Sequence, residues 1–238
     1  MPPYLWGVIL RRVPRLFPAK VTAAMPNPID DVHDAEDHVS YQGSLLIAMP
    51  VLQDASFDHT VIYLCQHDET HAMGLILNRP IDGLDLGRML QELGIAPGIV
   101  DNDRKLSGKT VLRGGPVQND RGFVLHSADY QIEDMTMNLG PTTGVDAFAE
   151  TGDGVALTAT RDILVDLSKG TGPHQFVIAL GYAGWGPGQL ENELGQNAWL
   201  VAPATQDLIF GDPDLLWSRA LERLGIQPGH LSSAVGTA

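Results

Sequence analysis

Two arginines bracket the stretch RGGPVQNDR, and their chemistry is the most specific feature of the sequence. Arg113 and Arg121 could each present a guanidinium fork to a carboxylate or phosphate, and Gly114 and Gly115 could offer backbone N–H groups to the same anion. His126 follows Arg121 by five residues, at the end of a predicted strand, and is expected to reach the same edge as an acid–base group. Arg79, held before Pro80 at a strand exit, is placed to join Arg113 or to bridge acids. A purely architectural account competes: the glycines permit a tight turn, and the arginines neutralise some of the 29 carboxylates.

A second glycine-rich stretch, GYAGWGPG at 181–188, is expected to join a buried strand to a helix. Such joints can cradle phosphate at the helix N-terminus. Here no Lys-Ser/Thr pair and no GxGxxG accompany it. Glu191 and Glu193 already complement the helix dipole and would repel a phosphate. Tyr182 and Trp185 then serve either as a packing wedge or as a recognition surface for a partner or small ligand.

Other groupings are weaker. Ser56, Asp58 and His59 have the residue types of a hydrolytic triad but no nucleophile elbow. His67 and His71 are four apart, yet the segment 67–71 joins two strands and reads as a surface turn, and no HExxH is present. The acid- and histidine-rich run 30–38 has no metal-site spacing and reads as a solvated linker. The single cysteine, Cys65, lies in an apolar run, excludes an intramolecular disulfide and reads as a small buried hydrophobe. No metal and no cofactor are expected.

These residues need elements to position them. Short apolar runs bounded by Pro, Asp, His and Asn predict strands over 45–49, 60–65 and 73–77. Further strands are expected at 111–112, 122–126, 155–160, 175–181 and 198–201. Apolar residues at helical spacing predict helices over 84–93, 161–169, 187–194 and 214–224. Strands and helices alternate without a βαβ repeat, so the expected class is α+β with a mixed sheet, not a doubly wound one.

The net charge of −14 disfavours direct nucleic-acid binding, which needs several cationic phosphate contacts. Residues 1–24 differ from the rest: they hold Arg11, Arg12, Arg15 and Lys20 and no acid. The composition changes sharply at Met25, which is expected to be the true start, and residues 1–40 to be a disordered or wrongly assigned extension. One domain is expected over 41–228, followed by a frayed tail over 229–238. No apolar run is long enough to span a membrane, and the cytoplasm is the expected compartment.

Four segments together resemble a known family: GSLLIAMPVLQDASFDHTVIYLCQH (43–67), AMGLILNRP (72–80), RGGPVQNDRGFVLH (113–126) and GTGPHQFVIALGYAGWGPGQLENELGQNAWL (170–200). The family is AlgH/YqgE, bacterial proteins described as uncharacterised or labelled transcriptional regulators. The resemblance implies a mixed sheet folded into a pseudo-barrel with helices packed outside, and it implies no agreed reaction or catalytic residue. The leading expectation is a regulatory or binding protein acting through an unknown protein partner or small anionic ligand. The alternative is an enzyme on a small anionic substrate, with Arg clamps and a His/Glu acid–base.

Overall fold

Leu45 and Ile47 face one side of the first strand, and Leu46 and Ala48 the other; all four are buried, as a central strand requires. This two-sided burial recurs along the sheet and gives the molecule three apolar layers. The computed structural model describes residues 39–52, 54–95, 108–141 and 154–227. The N-terminal extension with Met25, the 30–38 run and the C-terminal tail lie outside them, or nearly so.

The chain forms β1 (Ser44–Ala48), β2 (Val61–His67), β3 (Ala72–Ile76), β4 (Pro80–Asp85), α1 (Leu86–Glu92), β5 (Thr110–Arg113), β6 (Val117–Ser127) and β7 (Thr136–Pro141). It continues through β8 (Gly154–Thr158), α2 (Arg161–Lys169), β9 (Phe176–Trp185), α3 (Gln189–Gly195), β10 (Trp199–Pro203), α4 (Gln206–Ile209) and α5 (Pro213–Arg223). The sheet order is β10-β1-β2-β3-β9-β6-β8-β7, with β5 also on β9 and β4 on β5. All pairs are antiparallel except β5 with β9. The result is a curled sheet, a half-barrel with a few helices, of mixed α+β class.

Every strand but β4 contributes to one cluster on the inner face of the curl, which α4 and α5 plug with Leu208, Ile209, Leu216, Ala220 and Leu221. Outside, α1 and α2 cover one half of the sheet through Leu86, Met89, Leu90, Ile163, Leu164 and Leu167. Trp185, Leu190 and Trp199 cover the other half. Helix ends obey local chemistry: the Asp85 carboxylate accepts from the Arg88 N–H at 2.8 Å, and Gly170 closes α2 at φ +74°.

Several elements differ from expectation. β4 precedes α1 where helix was expected from residue 84, and β7 and α4 were not foreseen. β4 is an edge strand with mostly exposed or half-buried residues, so it carries no apolar run. The largest difference is β9, which continues through Gly181, Tyr182 and Gly184 to Trp185. The glycine-rich stretch is therefore largely strand, not a strand–helix loop. Gly181, at φ +74°, inverts the strand's alternation: Val177 and Ala179 face the inner cluster, whereas Ala183 and Trp185 face the outer one.

Candidate functional site

β9 is the junction of the molecule. β6 runs along one edge; β5 at Ile178–Leu180 and β3 at Ala183–Trp185 share the other. Between these two, the chain leaves β5 and crosses close over β9. The Gly114 N–H donates to Leu180 O at 2.7 Å, and the Ile76 N–H donates to Gly114 O at 2.8 Å. A Cβ on Gly114 would collide with Gly181 O, and one on Gly115 with the Tyr182 backbone. Both glycines are buried and serve this backbone-on-backbone crossing. The Gly114 N–H is spent inside the sheet and not offered to an anion, which corrects that expectation.

On the other edge, β6 departs from β9. Val117 pairs with Tyr182 and Gly122 with Leu180, so residues 118–121 stand opposite Gly181 alone. This wide bulge forms an arch, with Gln118 in the left-handed region at φ +48°. A Cβ on Gly181 would meet Gly115 O, Val117 O and the Asn119 side-chain oxygen, so glycine is required beneath the arch.

Arg121 ends the arch. Its Nη1 donates to Gln118 Oε1 at 3.1 Å, and its guanidinium lies over the Phe123 ring, 5.6 Å from the centroid. Tyr182 meets Phe123 edge-on at 5.9 Å. Nε and Nη2 of Arg121 are shielded from solvent and have no hydrogen-bond acceptor. Burial holds the guanidinium's pKa below its usual value, although Tyr182 and Asp120 act in the opposite sense.

The two arginines do not form one clamp. Arg113 pairs in register with Leu180, on the side covered by α1 and α2, whereas Arg121 lies beside Phe123 on the inner face. Arg113 is exposed, and its neighbour is Arg79: the Arg113 N–H donates to Arg79 O at 2.7 Å. The Arg79 guanidinium donates to Asp58 O. Among the described residues, Arg88 pairs with Glu92 and Arg223 with Asp207, while Arg79, Arg113 and Arg121 make no ion pair with a carboxylate.

His126 is not part of this edge. It lies four residues beyond Gly122 on β6, about 13 Å along the strand, and is fully buried. Its Nδ1–H donates to Ser127 O at 2.8 Å, and its Nε2 is 2.9 Å from Thr158 Oγ1, which is itself 2.8 Å from Thr136 Oγ1. Burial lowers its pKa, opposed by its bond to Ser127 and by Asp129. With both nitrogens engaged in the core, His126 cannot serve as acid–base for the arginines; the expectation fails on geometry.

Trp185 is the packing wedge of the two readings given it. It is 5.9 Å from Trp199, edge to face, and both indole N–H groups donate to Glu193 Oε2, at 2.9 and 2.7 Å. Glu191, in the first turn of α3, accepts from His67 Nε2 at 2.7 Å. The Tyr41 N–H donates to His67 Nδ1 at 3.0 Å, so the imidazole tautomer is fixed with its proton on Nε2. His67, expected in a surface turn, is instead buried at the end of β2, because the bulge between Leu64 and Gln66 shifts the strand's alternation and turns it into the outer layer. The turn itself is confined to residues 68–71, with Asp68 accepting from the backbone N–H groups of Thr70 and His71. Cys65 is buried, and burial pushes its thiol pKa up. No group of three or more potential metal ligands occurs among the described residues.

A family model described as AlgH-like matches residues 45–229. A UPF0301 protein of Afipia carboxidovorans is 48% identical over 199 residues, covering 82% of this chain and 89% of its own length. One from Caulobacter vibrioides is 44% identical over 207 residues, covering 86% and 97%. The solution structure of the AlgH protein from Pseudomonas aeruginosa superposes with a TM-score of 0.61 at 36% identity, covering 88% of this chain and all of that one. A crystal structure from Corynebacterium diphtheriae, at 20% identity and a TM-score of 0.55, shares the fold.

Proposed function

The chain belongs to the AlgH-like family, and on that premise we propose that it works by binding: the arch over Gly181 holds an anionic group of a protein partner or small ligand. One observation carries this reading. In a chain with 29 acids, Arg121 keeps two shielded guanidinium N–H groups without an acceptor. An unpaired buried donor costs about 1–3 kcal/mol, and more when charged, and the oxygens of an anionic group would relieve that cost. Exposed Arg113 and neighbouring Arg79 give the opposite side of the crossing a positive character of its own.

Any influence on transcription runs through that partner, because a net charge of −14 opposes contact with a phosphate backbone. The compartment in this reading is the cytoplasm; no helix among the described residues is long and apolar enough to cross a membrane.

The test is thermal unfolding of the full chain against nucleotides, organic acids and phosphorylated compounds, together with capture from cell extract. A ligand at a hundred times its Kd adds about 2.7 kcal/mol, and each kcal/mol moves the midpoint by about 2–4 °C. Stabilisation or capture that is lost in Arg121→Ala supports the proposal. Stabilisation or capture that survives both Arg121→Ala and Arg113→Ala overturns it.

A further inference from the structure

Resting on the binding role just proposed, we infer that the group held by the arch is a single carboxylate, taken side-on by Nε–H and Nη2–H of Arg121. In a guanidinium these two bonds lie parallel on one edge, matching the two oxygens of one carboxylate. Nη1 is already committed to Gln118 Oε1, and the two atoms left without an acceptor are the pair that makes up this edge. The fork is held by its surroundings: the Phe123 ring lies beneath the guanidinium, and Tyr182 stands edge-on to that ring.

Charge selects the ligand class. Asp120 adjoins Arg121 and acts on its charge, and Arg113 faces the other side of the sheet, so at the arch Arg121 stands beside an acid without the help of Arg113. A monoanion is matched there, whereas a dianionic phosphate would meet Asp120 without a second cation. Gln118 is held in the left-handed region, a conformation of the kind found at ligand clamps. Gln118 is also the residue that holds Nη1 and leaves the side-on edge to the ligand.

The probes are acetate, benzoate and inorganic phosphate at matched ionic strength, added to the full-length ¹⁵N-labelled chain. The readout is the Arg121 Nε–H resonance, assigned by its disappearance in Arg121→Lys. The expected result is a saturable downfield shift with both carboxylates and a much smaller one with phosphate. Arg121→Lys keeps the charge without the fork, and in it benzoate protection against heat weakens by at least about tenfold in apparent Kd. A shift with phosphate in place of the carboxylates overturns the carboxylate assignment and leaves the anion-binding role standing. A resonance indifferent to every anion also overturns it; the broader role then stands only if Arg121→Ala abolishes capture of a partner, and falls with it otherwise.

Discussion

Two polar side chains of β6 differ in kind: half-buried Arg121 near the middle of the strand and buried His126 near its C-terminal end. At His126, each ring nitrogen has a partner, and the chain of contacts runs on through Thr158 to Thr136 and the Ile132 N–H. At Arg121, one nitrogen of the guanidinium is paired and two are not. A complete network needs nothing from outside and fixes the packing of β6 against β8. An incomplete one, kept in a chain rich in carboxylates, is stable enough to persist and better satisfied with something added. A buried titratable residue therefore points to function by what it lacks, not by being titratable.

The contrast can be broken most forcefully at the floor of the arch. Gly115→Ala is expected to cost about 3 kcal/mol in urea unfolding, because its Cβ would strike the Tyr182 backbone, which cannot step aside. A near-neutral result would mean that the crossing is loose. Next comes Thr158→Val, which strands His126 Nε2 and leaves the Thr136 hydroxyl only its bond from the Ile132 N–H; a loss of about 2 kcal/mol is expected by the same measurement.

The third prediction concerns acid. His126 has a folded-state pKa below its ordinary 6.5, so below that pH the unfolded chain takes up a proton that the folded chain refuses. Its share of stability is complete above about pH 6.5 and falls by up to about 1.4 kcal/mol per pH unit below it, until the folded pKa is reached. An imidazole of His126 seen by NMR to protonate with an unperturbed pKa would sink this. The smallest effect has the opposite sign: Arg121→Met should leave stability unchanged or raise it by about 1 kcal/mol, since it removes two shielded donors without acceptors and keeps an apolar stem over the Phe123 ring. A large loss there would place Arg121 with His126 as architecture.

Much of the fold was legible from the sequence. The apolar runs of β1, β2 and β3 and the helical spacing of α2 and α5 follow from burial on one or both faces, which composition records directly. β4 left no trace because its residues are exposed or half-buried and none is part of an apolar run. Gly181 and Gly184 concealed the second half of β9: glycine ordinarily signals a turn, and here Gly181 admits two neighbouring backbones. For the site, the arginines were visible as types. That Arg113 and Arg121 face opposite sides depends on the register of β5 and β6 against β9, which no local pattern encodes. His67 was hidden by the bulge that turned it.

The pairing of β1 with β10 joins Ser44 to Pro203 and so brings together the two ends of the folded region. On the ribosome, β1 must wait for most of the chain before its outer edge is covered. At about 5–20 residues per second the delay is roughly 10–30 s. During that time an apolar strand stands unpaired on one side, and the inner layer lacks its α4–α5 stopper. The same closure that seals the native half-barrel makes the nascent chain a natural client for chaperones, and a C-terminal truncation before β10 a natural aggregate.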